Sequence, residues 1–572
     1  MAYTTEGIRN LALVGHAGSG KTTLAESLLL DAGVINEVGV VEKGSTVTDF
    51  DELEQKHHHS LTAALASYDY GDTHINLIDT PGYPDFIGPA LSVLGAVETI
   101  AIVVNAQNGV ESSTRRMMEA VKQRNLCAMI VVNRIDAEDV DLEAVYAQIQ
   151  ESLGSECLAV NLPTSNGSDV VDCFFGTEGE SDISSVEDAH TAIVDQTVEL
   201  DDDLMTAYLD QGEVAPEQLH DPFEQAMRER HVVPVCFVSS KTSSGVRALN
   251  EFICKMLPSP LEGNAPRFVN GSGDEGERYD VVPDASKPVL GHVFKISFDP
   301  FVGRQAVFRL YQGTIKKDAQ VFLKDSRKGL KVGNLSSCLG KKLSDSAAAI
   351  PGDIMLISKA EGFAYDAVVR DAHDDNDIQL EAAALPTPMV GVSIAPKSRG
   401  DEQKIAEVLT KLTESDPCFR IERNPAANET VLRGMGDLHL RMAVERMSVQ
   451  YAVEVETAVP TIPYRETIGK SAEGHAKHKK QTGGAGQFGE VYLRIEPLGR
   501  GEGFDFVNKI VGGVIPAQFI PAIEKGVQSV LEGGAVAGFP MQDIRVSVYD
   551  GKYHAVDSKE VAFVAAGRKA FI

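Results

Sequence analysis

The segment GHAGSGKT, residues 15–22, constrains the fold of this chain more strongly than any other stretch. It begins at the last residue of the apolar run IRNLALVG and leads into TLAESLLLDAG, whose apolar spacing predicts a helix. A glycine-rich loop between a strand and a helix lets backbone N–H groups converge on phosphate oxygens. The sequence therefore predicts an α/β domain with a phosphate-binding loop (P-loop).

Two side chains of this loop carry chemistry that a triphosphate needs. Lys21 is expected to reach the terminal phosphates, and the Thr22 hydroxyl is expected to ligate Mg²⁺. The residues predicted to line the phosphate site are Gly15, His16, Ala17, Gly18, Ser19, Gly20, Lys21, Thr22 and Thr23. A glycine-rich turn that matches by coincidence is the alternative, and the flanking strand and helix disfavour it.

A second loop, DTPGY, follows the strand-like run HINLI. Asp79 at the end of that strand can hold a magnesium ion through a water molecule, and the Gly82 N–H can sense a γ-phosphate. The predicted nucleotide contacts in this loop are Asp79, Thr80, Pro81, Gly82 and Tyr83. Pro-Gly turns are common, so the motif is weak when it is taken alone.

Two later loops suit a purine base. A carboxylate at Asp136, in VVNRID, can accept two N–H bonds from the guanine edge, a donor pair that adenine lacks. The residues expected to contact the base are Asn133, Arg134, Ile135, Asp136, Ser239, Ser240 and Lys241. A surface turn would explain either motif by itself. Four strand-end loops in this order predict GTP as the ligand, and Asp136 disfavours an ATPase.

The charge balance limits the partners of the chain. The 572 residues include 53 Lys+Arg and 83 Asp+Glu, and the formal net charge of -30 argues against a protein that coats nucleic acid. The charges are unevenly placed, because 178–221 holds 14 Asp/Glu without Lys or Arg, whereas 302–342 holds 10 Lys/Arg and 2 acids. A polyanionic partner is therefore expected to meet particular faces.

Cysteines and apolar runs indicate the compartment. The seven cysteines are odd in number, scattered and without a CxxC pair, which predicts a reduced cytoplasmic chain without a zinc site. The N-terminus has no signal-peptide pattern, and about 18 uninterrupted apolar residues occur nowhere. We therefore predict no membrane span.

Six further motifs, together with the nucleotide loops, resemble elongation factor G, a ribosomal translocation GTPase, and more specifically the paralogues described as elongation factor G-like. They are DPFVG at 299–303, GMGDLHL at 434–440, YRETI at 464–468, TGGAGQFG at 482–489, GGVIP at 512–516 and YHAVDS at 553–558. The resemblance implies a monomer that hydrolyses GTP with Mg²⁺ and drives translocation or ribosome disassembly. The implied partners are ribosomal RNA and proteins, with tRNA as a further candidate.

The expected fold class is a multidomain α/β and β chain. Alternating strand-like and helical runs predict a P-loop GTPase domain at 1–262, with an inserted subdomain at about 158–227. A linker at 263–288, a β-barrel at 289–380, a ferredoxin-like α+β domain at 386–462 and an α+β arm domain at 463–572 complete the chain. The last helical segment reaches Ile572 without a cap, whereas the family continues into another small domain, so we expect a C-terminally truncated chain.

The resemblance also implies contacts with RNA. Ribosomal RNA phosphates attract the basic stretch of the barrel, and the arm tip HAKHKKQTGGAGQFG is expected to reach RNA as well. The predicted contact residues are Lys477, Lys479, Lys480, Gly483, Gly484, Gln487 and His554. A solvated strand face and a flexible hairpin are the alternatives.

The chain departs from the family at the residue after DTPG. Elongation factor G usually has DTPGH, and its histidine positions the attacking water or stabilises charge; this chain has Tyr83. A phenol can orient water but carries no positive charge at neutral pH. The residues expected to serve catalysis are Lys21, Asp79, Gly82 and Tyr83, and we expect hydrolysis to be slow or differently triggered.

A second departure is KHHHSLTAA, where the family has RGITITSA. Ser60 stands at the threonine that closes on Mg²⁺, so Thr22, Ser60 and, through water, Asp79 are the expected metal contacts. Three consecutive histidines do not readily converge on one ion, and a solvated switch segment is the favoured interpretation. Arg134 replaces the usual lysine and keeps its charge. The alternative function is a GTP-dependent binding switch that hydrolyses weakly and regulates ribosomes.

Overall fold

The computed structural model describes residues 3–211, 214, 216–264, 266–271, 276–323, 328–371, 378–381, 384–398, 400–424, 427–480 and 486–572. These residues form two compact units, Met1–Arg423 with Glu429–Pro460, and Asn424–Asn428 with Thr461–Ile572. Among the described helices, none combines the length and the apolar character that a bilayer crossing needs. The fold is a multidomain α/β and β architecture.

The first unit begins with a mostly parallel sheet flanked by helices. Its elements are β1 Ile8–Gly15, α1 Lys21–Asp31, α2 Glu52–His57, β2 Ala64–Tyr70, β3 Thr73–Asp79, α3 Ile87–Ser92, β4 Thr99–Asn105, α4 Ser112–Arg124, β5 Cys127–Asn133 and α5 Leu142–Leu153. The strand order is β2-β3-β1-β4-β5, and among these described strands only β2 runs antiparallel to its neighbour. The runs TIAIVVN and CAMIVVN of β4 and β5 are buried along their whole length, as central parallel strands require.

The next elements extend this sheet and add a subdomain. They are β6 Cys157–Ala159, β7 Asn161–Thr164, β8 Asp169–Asp172, α6 Val186–Val198, α7 Asp202–Gln211, α8 Pro216–Glu229, β9 Val233–Val238 and α9 Val246–Met256. β9 lies beside β5, and β6 lies beside β9 in parallel. Within the predicted insert at 158–227, the first two residues therefore belong to the main sheet, and the hairpin β7–β8 with helices α6 to α8 forms the added part.

A β-barrel follows along the chain. Its strands and their neighbours are β10 Phe268–Asn270, β11 Glu277–Tyr279, β12 Leu290–Asp299, β13 Gly303–Gln312, β14 Ile315–Lys316, β15 Gln320–Leu323, β16 Leu330–Lys331, β17 Leu335–Leu339, β18 Lys342–Ser346, β19 Ala348–Ala349, β20 Ile354–Ser358, β21 Val368–Arg370 and β22 Ile378–Leu380. The predicted linker at 263–288 contains β10 and β11, and β10 pairs with both β11 and β22.

The barrel joins the nucleotide-binding sheet edge to edge. Leu339 of β17 pairs with Ala66 of β2, and the Gly340 N–H donates to the Leu65 carbonyl at 2.9 Å. Gly340 has φ +57°, and a Cβ there would lie 1.9 Å from the Val47 carbonyl oxygen. Only glycine fits this junction, which fixes the barrel beside the segment that precedes β2.

A buried ion pair also connects the barrel with the sheet. Arg309 of β13 is almost wholly buried, and its Nη2 donates to Glu98 Oε1 at 2.5 Å. Asn10 Nδ2 donates to the other Glu98 oxygen at 2.7 Å. Arg304 is also largely buried and pairs with Glu414 at 2.7 Å. The expectation that the basic stretch 302–342 faces RNA is therefore wrong for Arg304 and Arg309, whose charges are matched inside the unit.

The last part of the first unit is a small α+β module. It contains β23 Val390–Pro396, α10 Glu402–Ser415, β24 Arg420–Asn424, β25 Glu429–Gly434, α11 Asp437–Val449 and β26 Val455–Ala458. The β-α-β-β-α-β sequence folds into a sheet of order β24-β25-β23-β26. Ile405, Leu409 and Leu412 of α10 share its core with Leu440 and Met447 of α11.

The second unit packs two helices on one face of a sheet. Its elements are β27 Ala472–Lys480, β28 Gln487–Pro497, β29 Phe504–Asn508, α12 Ile520–Gly533, β30 Ile544–Lys552 and α13 Glu560–Phe571. The strand order is β27-β28-β30-β29, and only β29 runs parallel to its neighbour. A Cβ on Gly526 would lie 2.3 Å from the Val564 carbonyl oxygen, so glycine permits the close approach of α12 and α13.

Removal of one member of the buried pair is expected to destabilise the first unit. Arg309→Leu should lower the free energy of unfolding by about 3–5 kcal/mol, because the Glu98 carboxylate would remain buried without its partner. The matched control is Arg267→Leu, which breaks an exposed 3.4 Å pair with Glu381 and should cost less than about 1 kcal/mol. Because the chain has no Trp, urea unfolding followed by circular dichroism is the measurement. Equal stability of the two variants would contradict a structural role for the pair.

Candidate functional site

The loop between β1 and α1 folds around the Lys21 side chain. Lys21 Nζ donates to the carbonyls of Gly15 at 3.1 Å and His16 at 2.9 Å. Burial lowers the pKa of Lys21 to about 8, and the nearby Asp79 carboxylate opposes this shift. The ammonium group is thus fixed inside the loop and solvated by its carbonyls. An incoming phosphate oxygen would be a better partner than these carbonyls, because it carries full charge.

Two glycines of the loop have no room for a side chain. A Cβ on Gly15 would lie 2.4 Å from the Val103 carbonyl oxygen, and one on Gly20 would lie 2.5 Å from Asn133 Nδ2. Both have positive φ, +140° and +88°. The loop therefore packs directly against the ends of neighbouring strands. His16 lies on its outer side, with Nδ1 3.1 Å from Ser113 Oγ.

The three predicted metal contacts lie together. Thr22 Oγ1 donates to Asp79 Oδ2 at 2.7 Å and lies 3.3 Å from Ser60 Oγ. Thr48 Oγ1 also donates to Asp79 Oδ2, at 3.0 Å. These contacts join the start of α1, the end of β3 and the segment before β2, three parts of the chain that meet only in the folded structure.

Asp49 lies beside the predicted metal contacts, although no sequence motif pointed to it. It is buried and bonded to the Ser60 side chain, and burial, followed by the negative charge of Asp79, raises its pKa. Burial also raises the pKa of Asp79. Asp49 Oδ2 and Asp79 Oδ1 are buried and make no hydrogen bond within the described part of the chain. Two carboxylates with hydroxyls beside them are the hard oxygen ligands that Mg²⁺ prefers, so these residues fit a divalent cation.

The amide of Asn133 connects three loops. Its Nδ2 donates to the Ser19 carbonyl at 3.1 Å, and its Oδ1 accepts from Arg134 N at 2.8 Å and from Ser240 N at 3.0 Å. Asp136 lies in the same pocket, where its Oδ1 accepts from Ser239 Oγ at 2.6 Å. This hydroxyl fixes the carboxylate that we expect to select guanine.

The remaining predicted nucleotide contacts lie around this framework. Thr80 Oγ1 donates to the Leu13 carbonyl at 2.7 Å and is fully buried, and Pro81 and Ile135 are buried as well. Arg134, in left-handed backbone geometry, and Lys241 are exposed at the rim. The other loop members follow the path of the P-loop into α1; they are Ala17, Gly18 and Thr23.

Gly82 and Tyr83 close the phosphate end of the site. A Cβ on Gly82 would lie 2.4 Å from Lys21 Nζ and 2.7 Å from Ala17 N, so this backbone touches the P-loop. The next side chain, Tyr83, is 40% exposed. Its ring centroid lies 4.8 Å from that of His59. The tyrosine is therefore packed against the switch segment and also reaches solvent.

The switch segment, residues 51–61, is bound to helix α11. Lys56 Nζ and His57 Nε2 contact the Glu445 carboxylate at 2.6 Å and 2.9 Å. Arg446 Nη2 lies 3.4 Å from Asp51 Oδ2 at the other end of α2. The three consecutive histidines diverge, since His57 meets Glu445, His58 Nδ1 lies 3.3 Å from the Val41 carbonyl, and His59 meets Tyr83. Among the described residues, no three His, Cys, Asp or Glu side chains form a metal-binding group.

The predicted RNA contacts of the second unit lie at one end of its sheet. Lys477, Lys479 and Lys480 are exposed along β27, and Gln487 starts the neighbouring strand. The loop that contains His554 is held to that strand, because Ser558 Oγ donates to the Phe488 carbonyl at 2.9 Å. Lys477 Nζ lies 3.7 Å from Glu490, so its charge is partly matched. Gly483 and Gly484 lie outside the described residues.

Four protein families match successive parts of the chain. Residues 6–259 match the elongation factor Tu GTP binding domain, and 288–366 match elongation factor G domain 2. Residues 385–459 match elongation factor G domain III, and 460–572 match elongation factor G domain IV. The GTP-binding family implies GTP binding by the first of these parts.

Relatives of known name and structure span nearly the whole chain. A Mycobacterium tuberculosis protein named "Elongation factor G-like protein" is 34% identical over 99% of this chain and 82% of its own length. A Thermotoga maritima protein of the same name is 34% identical over 99% of this chain and 83% of its own length. A crystal structure of a Thermus thermophilus protein superposes with a TM-score of 0.85 at 35% identity, covering 99% of this chain and 84% of that one.

Asp136→Asn is expected to change the nucleotide preference. The amide would offer the guanine edge one donor where two acceptor sites are needed, and GTP binding should weaken by roughly 100-fold. Xanthosine triphosphate, which has an oxo group in place of the guanine amino group, should bind the variant better than GTP does. Calorimetric titration with both nucleotides measures the change. Asp139→Asn, a nearby exposed position in left-handed geometry, is the control; equal GTP affinity of the two variants would contradict the assignment.

Asp49→Asn is expected to stabilise the nucleotide-free protein and to weaken magnesium binding. A carboxyl whose pKa is higher in the folded chain binds more protons when folded, so stability falls as the pH rises from the ordinary pKa of Asp, about 4, to the raised pKa of Asp49, about 8. The neutral amide removes this loss, and the variant should gain roughly 1–3 kcal/mol at about pH 8 and little at about pH 4. In a magnesium titration at a fixed GTP concentration, the variant should bind magnesium about 10–100-fold more weakly than the unchanged protein. A variant with unchanged magnesium dependence would exclude Asp49 from the site.

Proposed function

This chain belongs to the family of elongation factor G-like translational GTPases, and we propose that it binds and hydrolyses GTP with Mg²⁺ on the ribosome, in translocation or ribosome disassembly. The observation that carries the proposal is the meeting of four loops at one edge of the sheet. There Asn133 ties the P-loop to the base-binding loops, and Thr22 ties it to Asp79. Phosphate, metal and base contacts thus occur together.

Each part of the site has a separate task in this proposal. The P-loop amides and Lys21 bind the β- and γ-phosphates, and Asp136 selects guanine. Thr22, Ser60 and Asp79, with Asp49 behind them, would hold Mg²⁺, which neutralises charge on the phosphates when it is bound. The backbone of Gly82 lies next to Lys21, and its N–H is the group that would respond to the γ-phosphate. These residues orient the triphosphate for an in-line attack by water.

The contacts of the switch segment connect this site with the α10–α11 module. Leu53, Leu61, Phe86 and Met442 form one buried cluster. The His439 N–H donates to Asp85 Oδ2 at 3.1 Å, and a Cβ on Gly436 would lie 2.4 Å from that oxygen. The GMGDLHL motif therefore provides the close contact with the segment that follows DTPGY. Release of phosphate would free Ser60 and Gly82. It would then weaken two attachments to the α10–α11 module together, that of the switch segment and that of the segment after DTPGY.

We propose slow or differently triggered hydrolysis because of Tyr83. Its hydroxyl can orient a water molecule, but it supplies no cation to the transition state. The exposure of the Tyr83 side chain supports the second candidate function, a GTP-dependent binding switch that holds its nucleotide on the ribosome. Single-turnover hydrolysis with saturating ribosomes separates the two functions, since an enzyme cleaves its GTP within the assay and a switch retains it. The arm of the second unit would contact RNA in either case.

Tyr83→His is expected to raise ribosome-stimulated GTP turnover by at least about tenfold, because an imidazole can both orient water and carry charge. GTP affinity should stay within about threefold, since the P-loop and Asp136 are expected to supply most of the binding free energy. Turnover measured at saturating ribosomes tests the rate, and calorimetry tests the affinity. Tyr83→Phe is the matched control and should hydrolyse more slowly than the unchanged protein. Equal and fast turnover in all three proteins would show that this position does not limit the reaction.

A further inference from the structure

The switch segment places a histidine against the tyrosine that replaces the family's histidine. The ring centroids of His59 and Tyr83 are 4.8 Å apart, with an interplanar angle of 56°. The ring centroid of Phe86 lies 5.8 Å from that of His59. His59 is half-buried in contact with these two rings, whereas the neighbouring His58 is exposed. The imidazole thus has a defined position beside residue 83.

This histidine lies close to the expected γ-phosphate position. The residue after it, Ser60, has its Oγ 3.3 Å from Thr22 Oγ1. The residue before Tyr83, Gly82, has its backbone against Lys21 and Ala17. His59 and Tyr83 therefore adjoin the two residues, Ser60 and Gly82, that are expected to border the terminal phosphate, and their rings contact each other.

The hydrogen bonding of His59 leaves one ring nitrogen available. Its Nδ1 lies 3.4 Å from the Ser60 carbonyl oxygen, a partner that can only accept, so Nδ1 carries the hydrogen. Nε2 is then an acceptor, and it has no hydrogen bond within the described residues.

We propose that His59 is the positioning residue for the attacking water, and that it supplies from the switch segment the imidazole that position 83 lacks. This inference rests on the proposed GTPase function and names the group that triggers it. Tyr83 then has two roles, because its ring holds the imidazole in place and its hydroxyl offers a second hydrogen bond to the same water molecule.

The reaction needs no change in the charge of His59. The water oxygen forms a bond to the γ-phosphorus while the bond to the β,γ-bridging oxygen breaks, and GDP leaves with that electron pair. The water proton ends on the inorganic phosphate. Nε2 accepts a hydrogen bond from the water during the attack and fixes the direction of its lone pair, which is a contribution from positioning.

The arrangement also makes hydrolysis dependent on the switch segment. His59 reaches Tyr83 only while residues 51–61 are folded, and these residues are held by Glu445 and Arg446 of helix α11. A histidine at position 83 would be placed by the DTPG loop alone. The imidazole of this chain is instead placed by contacts with the α10–α11 module, so movement of that module can control the reaction.

A double-mutant cycle on His59 and Tyr83 tests the proposal. His59→Phe keeps an aromatic ring and removes the nitrogens, and it should lower ribosome-stimulated turnover by roughly 100-fold. In a Tyr83→His background the same change should cost less than about threefold, because the imidazole is then supplied from position 83. His59→Gln, which keeps a hydrogen-bonding side chain, should recover part of the lost rate.

Controls separate this proposal from the function on which it rests. His58→Asn changes the neighbouring histidine, keeps left-handed geometry and should leave turnover unchanged. GTP affinity of each variant, measured with a fluorescent GTP analogue, shows whether the site remains folded. Normal turnover in His59→Phe, or an equal loss in both backgrounds, would overturn the role of His59. No hydrolysis by the unchanged protein with ribosomes would overturn the proposed GTPase function instead.

Discussion

The nucleotide site depends on the hydrogen bonds of one buried amide, that of Asn133. Parallel strands bring their carboxyl ends to one edge, but the loops that follow them are independent of each other until a side chain joins them. Asn133 bonds to the P-loop carbonyl of Ser19 and to the backbone of Ser240, so it fixes two loops with one group. Gly20 has no side chain because that amide occupies the space where its Cβ would lie.

The same site concentrates charge where water is excluded. Lys21, Asp49 and Asp79 are all nearly fully buried. Burial lowers the pKa of the lysine and raises the pKa of both aspartates, which favours the neutral form of each. Buried carboxylates near one another oppose folding in the absence of a cation. A site that is unfavourable without its ligands gains most when they bind, because phosphate and metal satisfy these charges simultaneously. The nucleotide-free site is thus less stable in the region that is expected to respond to phosphate and metal binding.

The sequence was sufficient for the parts of the site that follow strands. Loops after β1, β3, β5 and β9 had to meet because parallel strands share an edge, and the glycine pattern predicted which of them binds phosphate. The position of Asp49 could not be predicted, since its place near Asp79 depends on how an irregular segment folds back. Arg309 looked like part of an RNA-binding face because its partner Glu98 is 211 residues away, and burial is invisible in a local charge count.

Tyr83 replaces the histidine that the family usually has, and the structure places another imidazole, that of His59, against it. This placement depends on contacts between residues that are far apart in the sequence. Lys56 and Glu445 are 389 residues apart, and their contact joins the switch segment that contains His59 to helix α11. If the imidazole came from the DTPG loop, the loop and its glycine would be enough to place it. Here its placement requires α2 to be held by α11, and α11 in turn contacts Asp85 through the His439 backbone. The two segments that we propose to sense the γ-phosphate are therefore bound to one helix, and any force on that helix reaches both.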